Sequence, residues 1–320
     1  MSVRRSRRTA AAIVLAAAVT ALMPSLANAA TPAAAHATHV APQTVNGTKG
    51  NGLTISDGTP YVVMNGTVVK FGTSVRDLVW NPSGTKAAYI DSYGDLETAN
   101  ANGSDRSIVT VAPANGSLAS PTWQVTQASD IQTHNPAMDN LVFEAQTTAT
   151  TSRLESISAT AHFGKPTVLH LWQYNGEAPL PQTGNVWPSA GGTGAGAILA
   201  YENTDNGTGE IYIHDDYLRA QGGALVAGKE PAVSPNGEEI AFVRSVAGHD
   251  HLFVENLSSG KHTIKDITPS SKADYAQPAW SANGTQIAFD SSTGGIDTIS
   301  PNGGAITHVS GYNGVLAYRG

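Results

Sequence analysis

The sequence of 320 residues contains no cysteine, which excludes disulfide bonds and thiol chemistry. Beyond the first thirty residues, it has no apolar run long enough to cross a bilayer. Apolar residues at helical spacing are almost absent as well, which argues against a helical fold. A chain without disulfides must be stabilised by its hydrophobic core, and roughly 290 residues are ample to form one.

The first 29 residues have the features of a secretory signal peptide. Four arginines in "MSVRRSRR" precede the apolar stretch "AAAIVLAAAVTALM", and the small residues "ANA" follow. The pair Arg7-Arg8 leaves general secretion and twin-arginine export both open. Residues 30–52 are rich in Ala, Thr, Pro and Gly and predict a flexible arm. We therefore expect a secreted, extracellular protein whose folded domain covers residues 53–320.

Without the four arginines of the leader, the chain carries 14 basic and 25 acidic residues, a net charge of −11. An acidic surface disfavours binding to nucleic acid and to anionic membranes. We expect no nucleic-acid partner and no insertion into membranes. The expected state is a monomer that binds another protein.

Asparagine is followed by glycine far more often than chance allows. Of 19 asparagines, 11 precede a glycine, although glycine supplies only 33 of the 320 residues. Asn-Gly is a turn dipeptide because both residues tolerate positive φ. The excess predicts many tight hairpins and hence an antiparallel all-β protein.

Five units of four predicted strands recur every 43 to 64 residues. The first strands end in "LVW", "PTW", "NVW", "PAV" and "PAW", and the second strands are "KAAYID", "NLVFEA", "AILAYEN", "EIAFVR" and "QIAFDS". Four-stranded units at this period predict a β-propeller. The recurrent aromatic predicts packing between blades at one common position, which the alignment assigns to Trp80, Trp123, Trp187 and Trp280.

The two ends of the chain supply a sixth unit between them. The segment "YNGVLAYRG" looks like a first strand, and "GLTISDG", "PYVVMNG" and "TVVKFG" look like second, third and fourth strands. A blade shared by both ends closes the ring and leaves no free sheet edge. The prediction is a six-bladed propeller, with seven blades as the alternative.

The segments "PAVSPNGEEIAFV" and "PAWSANGTQIAFD", followed by "HLFVEN" and "GIDTIS", resemble the PD40 (WD40-like) repeats of TolB-type propellers. The resemblance covers residues 53–320, and unit 2 departs from it with the longer "WQVTQASDIQTHNPAMDNLVF". It implies a six-bladed propeller and often a protein-binding role, but no reaction.

The chain also resembles, in architecture and setting, the dispase autolysis-inducing proteins, which are secreted actinobacterial propellers. These proteins act on secreted metalloproteases and are glutamine-donor substrates of transglutaminase. The resemblance implies a secreted protease or a transglutaminase as partner.

Three functions follow from these observations. The favoured one is a protein-binding scaffold without catalysis, because no catalytic residue could be assigned. The second is a modulator of secreted metalloproteases that is also a transglutaminase substrate. The third is an enzyme with its site in the central funnel, such as a lyase, lactonase or glycosidase.

Two irregular stretches supply the candidate binding residues. The polar loop from Gln124 to Asn140 stands where other units have a short turn, and its glutamines are candidate acyl donors. Trp172 lies outside the register of the recurrent tryptophans, next to Tyr174. The predicted binding residues are Gln124, Gln127, Asp130, Gln132, His134, Trp172 and Tyr174.

The segment "GHDH" supplies the candidate metal ligands, His249, Asp250 and His251. Residues two apart on a strand share a face, so the two imidazoles could bind one divalent metal. The alternative is a plain hairpin tip, because no third ligand outside this segment can be named. No other cofactor is predicted.

Overall fold

A computed structural model describes residues 46–127, 137–148, 151–192, 197–205, 207–215, 221–258 and 262–320. The signal peptide and residues 30–45 of the predicted arm lie outside the described residues. The described residues form six antiparallel sheets of four strands, the blades of a six-bladed propeller. The prediction of an all-β propeller is confirmed, with six blades rather than seven.

Five blades each use four strands that follow one another along the chain. Blade 1 contains β4 (Arg76–Trp80), β5 (Lys86–Ile90), β6 (Leu96–Asn100) and β7 (Ser107–Thr110). Blade 2 contains β8 (Ser117–Thr126), β9 (Met138–Thr148), β10 (Thr151–Ser158) and β11 (Thr167–Val168). Blade 3 contains β12 (Asn185–Gly191), β13 (Ile198–Asn203), β14 (Glu210–Asp215) and β15 (Gln221–Ala227).

Blade 4 contains β16 (Lys229–Val233), β17 (Glu239–Val246), β18 (His249–Asn256) and β19 (Thr263–Asp266). Blade 5 contains β20 (Tyr275–Trp280), β21 (Ile287–Ser291), β22 (Ile296–Ile299) and β23 (Thr307–Ser310). Blade 6 combines β24 (Val315–Tyr318) with β1 (Leu53–Ser56), β2 (Tyr61–Met64) and β3 (Thr67–Lys70). A short 3-10 turn, Asn46–Thr48, precedes β1.

The ring closes through the shared blade, as predicted. Strand β24 pairs with β1 over four residues, from Leu53↔Tyr318 to Ser56↔Val315. Beyond the strand, Arg319 donates its backbone N–H to Gly52 and its Nε–H to the carbonyl of Gly84. The Arg319 guanidinium also lies 5.1 Å from the ring centroid of Trp80 in blade 1. The first and last strands of the described domain are thus joined to each other and to the next blade.

The hydrophobic core is divided among the junctions between blades. Six clusters of buried residues lie one at each junction, including the junctions of blade 6 with blades 5 and 1. In blades 1 to 5, the second strand contributes a fully buried aromatic ring at an equivalent position, namely Tyr89, Phe143, Tyr201, Phe242 and Phe289. Burial of such rings supplies much of the stability in the absence of disulfides.

In blades 4 and 5, Asn-Gly pairs form the turns that the sequence predicts between first and second strands. In blade 5, Gly284 has a φ of 70° and donates its N–H to the carbonyl of Ser281 at 2.8 Å. The Oδ1 atom of Asn283 accepts hydrogen bonds from the Ser281 hydroxyl and from the Thr285 N–H. The turn is thus stabilised by its own side chains, which explains why the same dipeptide recurs.

We expect Gly284→Val to lower the free energy of unfolding by roughly 1–3 kcal/mol. An added Cβ would meet no atom within 4 Å, so the cost comes from positive φ and not from a clash. Thermal melting checks this, with Ala282→Val in the same exposed turn as the control. An unchanged midpoint for Gly284→Val would contradict the turn assignment.

The first strands of blades 1 to 5 each contain a β-bulge. The register shifts within all five strands, and one residue in each has positive φ: Asp77, Ser120, Trp187, Glu230 and Gln277. Strand β24 has a continuous register and no bulge. A bulge re-aims the chain and leaves its extra residue out of the ladder.

The assignment of Trp187 to the recurrent aromatic position is wrong. In the paired strands, Trp80, Trp123 and Trp280 correspond to Ala190, because Ala190 pairs with Leu199 as Trp123 pairs with Leu141. Trp187 instead occupies the bulge, three residues earlier. The other three tryptophans are buried between blades, whereas Trp187 is half-buried.

The polar loop of blade 2 is shorter than predicted. Strand β8 continues to Thr126 and β9 begins at Met138, and Gln124 pairs with Asn140. The residues between the strands are therefore 127–137, because alternating polar side chains did not prevent strand pairing. Within the described residues, no helix is long and apolar enough to span a membrane.

Candidate functional site

The first strands of all six blades surround a central channel with a cavity volume of about 510 Å³. One end of the channel, here called the entry end, lies where these strands begin and where the bulges are. The opposite end is formed by the turns after the strands, with Pro82, Pro235, Ala282 and Gly320 among its lining residues. A cavity that residues of every blade line is a concave feature that could hold a ligand.

The channel wall offers few backbone N–H donors near the bulges. In four blades the residue after the bulge is a proline, which has no N–H: Pro121, Pro188, Pro231 and Pro278. In blade 1 the corresponding N–H belongs to Leu78 and donates to the Ser56 hydroxyl at 3.2 Å. Two further N–H groups of first strands, those of Ala190 and Val233, donate to Thr122 and Ser189.

Five carboxylates lie around the entry end and are here called the acidic collar. Asp77 and Glu230 occupy the bulge position in blades 1 and 4 and line the channel. Glu144, Glu202 and Asp290 occupy one equivalent position in second strands, directly after the buried aromatic and opposite the start of the bulged first strand. Electrostatic interactions connect Glu144 with Asp77 and Glu202, and Glu230 with Glu202 and Asp290.

Three collar carboxylates accept the backbone N–H of the bulge residue in the next blade. Asp77 accepts from Ser120 at 3.1 Å, Glu202 from Glu230 at 3.0 Å, and Glu230 from Gln277 at 2.6 Å. A bulge N–H has no partner in its own ladder, so a carboxylate from the preceding blade satisfies it. These bonds couple blades 1 and 2, 3 and 4, and 4 and 5.

Asp290 lacks such a partner. Its Oδ1 atom is buried without a hydrogen bond to any described residue, and the same holds for Oε1 of Gln277, which lines the channel. In the next blade, β24 has no bulge and therefore offers no bulge N–H that Asp290 could accept. The entry end thus carries hydrogen-bond acceptors that the protein itself does not satisfy.

Burial raises the pKa values of all five collar carboxylates. For Glu144, Glu202 and Asp290, burial is the main cause and brings the pKa to about 7, and neighbouring carboxylates add to the shift. For Asp77 and Glu230, burial raises the pKa, and Arg76 and Lys229 respectively oppose the rise. Glu144, Glu202 and Asp290 are therefore ionised above neutral pH and take up protons as the pH falls below 7.

We expect Asp290→Asn to stabilise the protein at pH 8. The raised pKa means that the folded state binds a proton at Asp290 more tightly than the unfolded state, so ionisation costs stability at high pH. The gain is on the order of 1–3 kcal/mol above pH 7 and disappears as the pH falls from 7 towards 4. Melting midpoints at pH 8 and pH 4.5 check this, and equal midpoints of variant and wild type at pH 8 would contradict it.

The predicted loop residues are divided between the channel and the surface. Gln124 lies in β8, is 5% exposed and lines the channel. It lacks the exposure that an acyl donor for transglutaminase requires, whereas Gln127 at the end of the strand is exposed. Asp130, Gln132 and His134 lie outside the described residues.

Trp172 and Tyr174 lie in the connection between blades 2 and 3, away from the residues that line the channel. The backbone of this connection pairs with β15, where Gly222 donates to the Trp172 carbonyl and accepts from the Tyr174 N–H. The Trp172 ring is 64% exposed. A ligand-binding role for the two aromatics stays a prediction.

The three predicted metal ligands each contact a different partner. His251 is 4% exposed and its Nδ1 lies 2.9 Å from Asp266, whereas Asp250 accepts from Lys229 at 2.8 Å. Nδ1 of His249 lies 3.4 Å from Asp274 without hydrogen-bond geometry. Across the described part of the chain, no group of three or more His, Asp or Glu side chains is placed to hold a metal. Metal binding at "GHDH" stays a prediction.

The acidic collar was not predicted, although the sequence contains a signal for it. A carboxylate directly follows the buried aromatic in "VFEA", "AYEN" and "AFDS". An acidic residue recurring at one position of a buried strand is unusual, because an unpaired buried charge is costly. The bulge residues could also be identified from the sequence, because in four blades each directly precedes a proline of the first strand.

Comparisons with known proteins support the fold and not a family. No family model matches the chain, and no curated protein matches it. Among solved structures, TolB from Acinetobacter baumannii aligns with a TM-score of 0.57 at 13% identity, over 83% of this chain and 65% of that one. This chain therefore spans just under two thirds of the length of that TolB.

Two further structures align over most of this chain. The putative TolB from Agrobacterium tumefaciens has a TM-score of 0.54 at 14% identity, over 80% of this chain and 87% of that one. A chain of the Nidogen/Laminin complex has a TM-score of 0.54 at 10% identity, over 83% of this chain and 97% of that one. The fold is the six-bladed β-propeller that the repeats indicate.

Proposed function

We propose that this protein is an exported propeller that binds another protein at the entry end of its central channel. The observation that carries this proposal is the channel itself, whose lining comes from all six blades and includes Gln277, whose Oε1 has no partner among the described residues. Export is supported by the leader in residues 1–29. The similar structures include a propeller in complex with another protein, the Nidogen/Laminin complex.

Protein binding fits the lining better than the enzyme alternative does. The collar is a carboxylate cluster at the channel, which is the feature expected of a funnel enzyme. However, the two collar residues that line the cavity, Asp77 and Glu230, already accept backbone N–H groups of the neighbouring blades. These bonds couple neighbouring blades, so both carboxylates have a structural role that requires no catalysis.

The transglutaminase-substrate alternative has one observation in its favour, the exposure of Gln127 at the end of β8. Amine labelling of the protein by transglutaminase, followed by mass spectrometry, tests it. Label on Gln127 that disappears in Gln127→Asn would support a substrate role, which is compatible with protein binding at the channel.

A capture experiment tests the proposed function. Residues 30–320 are immobilised and incubated with culture supernatant, and bound proteins are identified by mass spectrometry. Because the chain has no cysteine, Ser120→Cys allows a polyethylene glycol maleimide to be attached at the entry end alone. Tyr93→Cys with the same polymer is the control, since Tyr93 is 84% exposed and does not line the channel.

The expected result is a protein captured by the unmodified propeller and by the Tyr93 conjugate but not by the Ser120 conjugate. Capture that is equal for both conjugates would place the interaction elsewhere and would contradict binding at the entry end.

A further inference from the structure

At the entry end, the channel wall offers hydrogen-bond acceptors but few hydrogen-bond donors. Prolines follow four of the five bulges and have no backbone N–H to donate. The bulge N–H groups of Ser120, Glu230 and Gln277 already donate to carboxylates. Acceptors remain, because Asp77, Glu230 and Gln277 line the channel, and Oε1 of Gln277 has no partner among the described residues. Such a cavity favours a ligand that donates hydrogen bonds.

The charge around the entry end favours a positively charged ligand. The five collar carboxylates face two cations, Arg76 and Lys229. Lys229 interacts with a carboxylate outside the collar as well, because its Nζ donates to Asp250 at 2.8 Å. Arg76 donates one NH group to Asp77 and another to the carbonyl of Leu118. The carboxylates therefore outnumber the nearby cations, and a channel with protein walls concentrates the resulting negative potential.

We propose that the entry end of the channel recognises a lysine or arginine side chain presented by the protein partner. The cationic group enters the channel next to Gln277 and is attracted by the collar. This inference rests on the proposed function and adds the chemistry of the group that enters. Lysine and arginine fit because they combine several donors with a positive charge.

The collar also makes this recognition dependent on pH. Glu144 faces Asp77, Glu202 and Arg76, whereas Asp290 faces Glu230. Since burial and like charges raise the pKa of both to about 7, both are ionised at pH 8 and mostly neutral at pH 5.5. The attraction for a cation is therefore present at pH 8 and is lost as the pH falls through 7.

Defined peptides test the inference without knowledge of the natural partner. The probes are fluorescein-labelled tetra-lysine, tetra-acetyl-lysine, which has the same length without charge, and tetra-glutamate. Binding to residues 30–320 is measured by fluorescence anisotropy at pH 8 and pH 5.5 and at low ionic strength.

The test variant is the double substitution Glu144→Gln, Asp290→Asn. Both changes nearly preserve shape, and no bond from either residue to a bulge N–H would be lost, unlike at Glu202 or Glu230. The matched control is Asp105→Asn, Glu177→Gln, which removes two charges at exposed positions outside the channel. Asp105 has a φ of 54°, which asparagine tolerates.

We expect tetra-lysine to bind the wild type and the control variant alike at pH 8. The collar variant should bind it roughly tenfold more weakly, as expected for the loss of partly buried opposing charges. Wild-type binding should weaken by a similar factor at pH 5.5, and the collar variant should lose most of this pH dependence. Neither tetra-acetyl-lysine nor tetra-glutamate should bind.

Two outcomes would overturn the inference. Equal weakening in the collar and control variants would show that general surface charge attracts the peptide. Equal binding of tetra-acetyl-lysine would show that charge is not recognised. Protein binding at the entry end would still hold after either result if the Tyr93 conjugate captured a partner and the Ser120 conjugate did not. Failure of the inference can therefore be distinguished from failure of the proposed function.

Discussion

Deletion of Gly314 to Gly320 is expected to abolish folding. The deletion removes β24, which forms all the ladder bonds on the inner side of β1. Leu316 and Ala317 are each 8% exposed and belong to the core clusters at the two junctions of blade 6. A typical domain has only about 5–15 kcal/mol of stability, and the loss of one strand from a closed ring together with two junction contacts exceeds that margin.

Size-exclusion chromatography and circular dichroism of the truncated protein measure the result, which should be aggregation or an unfolded spectrum. Deletion of Gly320 alone is the matched control, because it leaves β24 and Arg319 in place. A soluble, monomeric truncation with the native melting midpoint would mean that β24 does not close the ring.

Trp280→Ala is expected to lower the free energy of unfolding by about 3–5 kcal/mol. The Trp280 ring is 7% exposed in the core between blades 4 and 5, and its Nε1–H donates to the carbonyl of Ala232 at 2.9 Å. Truncation would leave a cavity at the junction and an unsatisfied carbonyl. Chemical denaturation monitored by circular dichroism measures the change.

Trp187→Asn is the informative comparison and should cost about 1 kcal/mol or less. Trp187 is half-buried at the bulge, and asparagine tolerates its φ of 49°. If Trp280→Ala and Trp187→Asn lowered the free energy of unfolding equally, Trp187 would be assigned to the common packing position. That result would contradict the strand register of blade 3.

The fold could be predicted because its determinants are local and repeated. The Asn283-Gly284 turn is formed by bonds among its immediate neighbours, so the dipeptide alone indicates it. In blades 1, 4 and 5, the buried aromatic of the second strand lies five residues after the turn glycine, as in Gly284 and Phe289. The shared blade was also predictable, because closure of a ring requires a partner for the free edge of β1.

The bulges were harder to predict, because they change register without changing composition. Trp187 was assigned to the packing position, since a tryptophan near the end of a first strand fits the repeat if no residue is extra. The following Pro188 was the better guide, as Pro231 and Pro278 show in blades 4 and 5. Because of the bulge, Trp187 lies on the channel wall and not in the core between blades.

The candidate site could not be predicted for a related reason. Glu144, Glu202 and Asp290 are far apart in sequence, and each looks like an isolated polar residue in an apolar strand. Only the ring places them around one end of the channel. Gln124 was selected as part of a loop, and the structure instead places it in a strand that lines the channel.

Site-specific crosslinking tests most directly whether a protein partner binds at the entry end. Ser120→Cys at the entry end and Val125→Cys towards the opposite end both line the channel, and each can carry benzophenone maleimide as the only thiol conjugate in the protein. After incubation with culture supernatant and illumination, we predict a partner adduct from the Ser120 position that excess unlabelled protein suppresses, and little from the Val125 position. Adducts from Val125 alone, or from neither position, would contradict binding at the entry end.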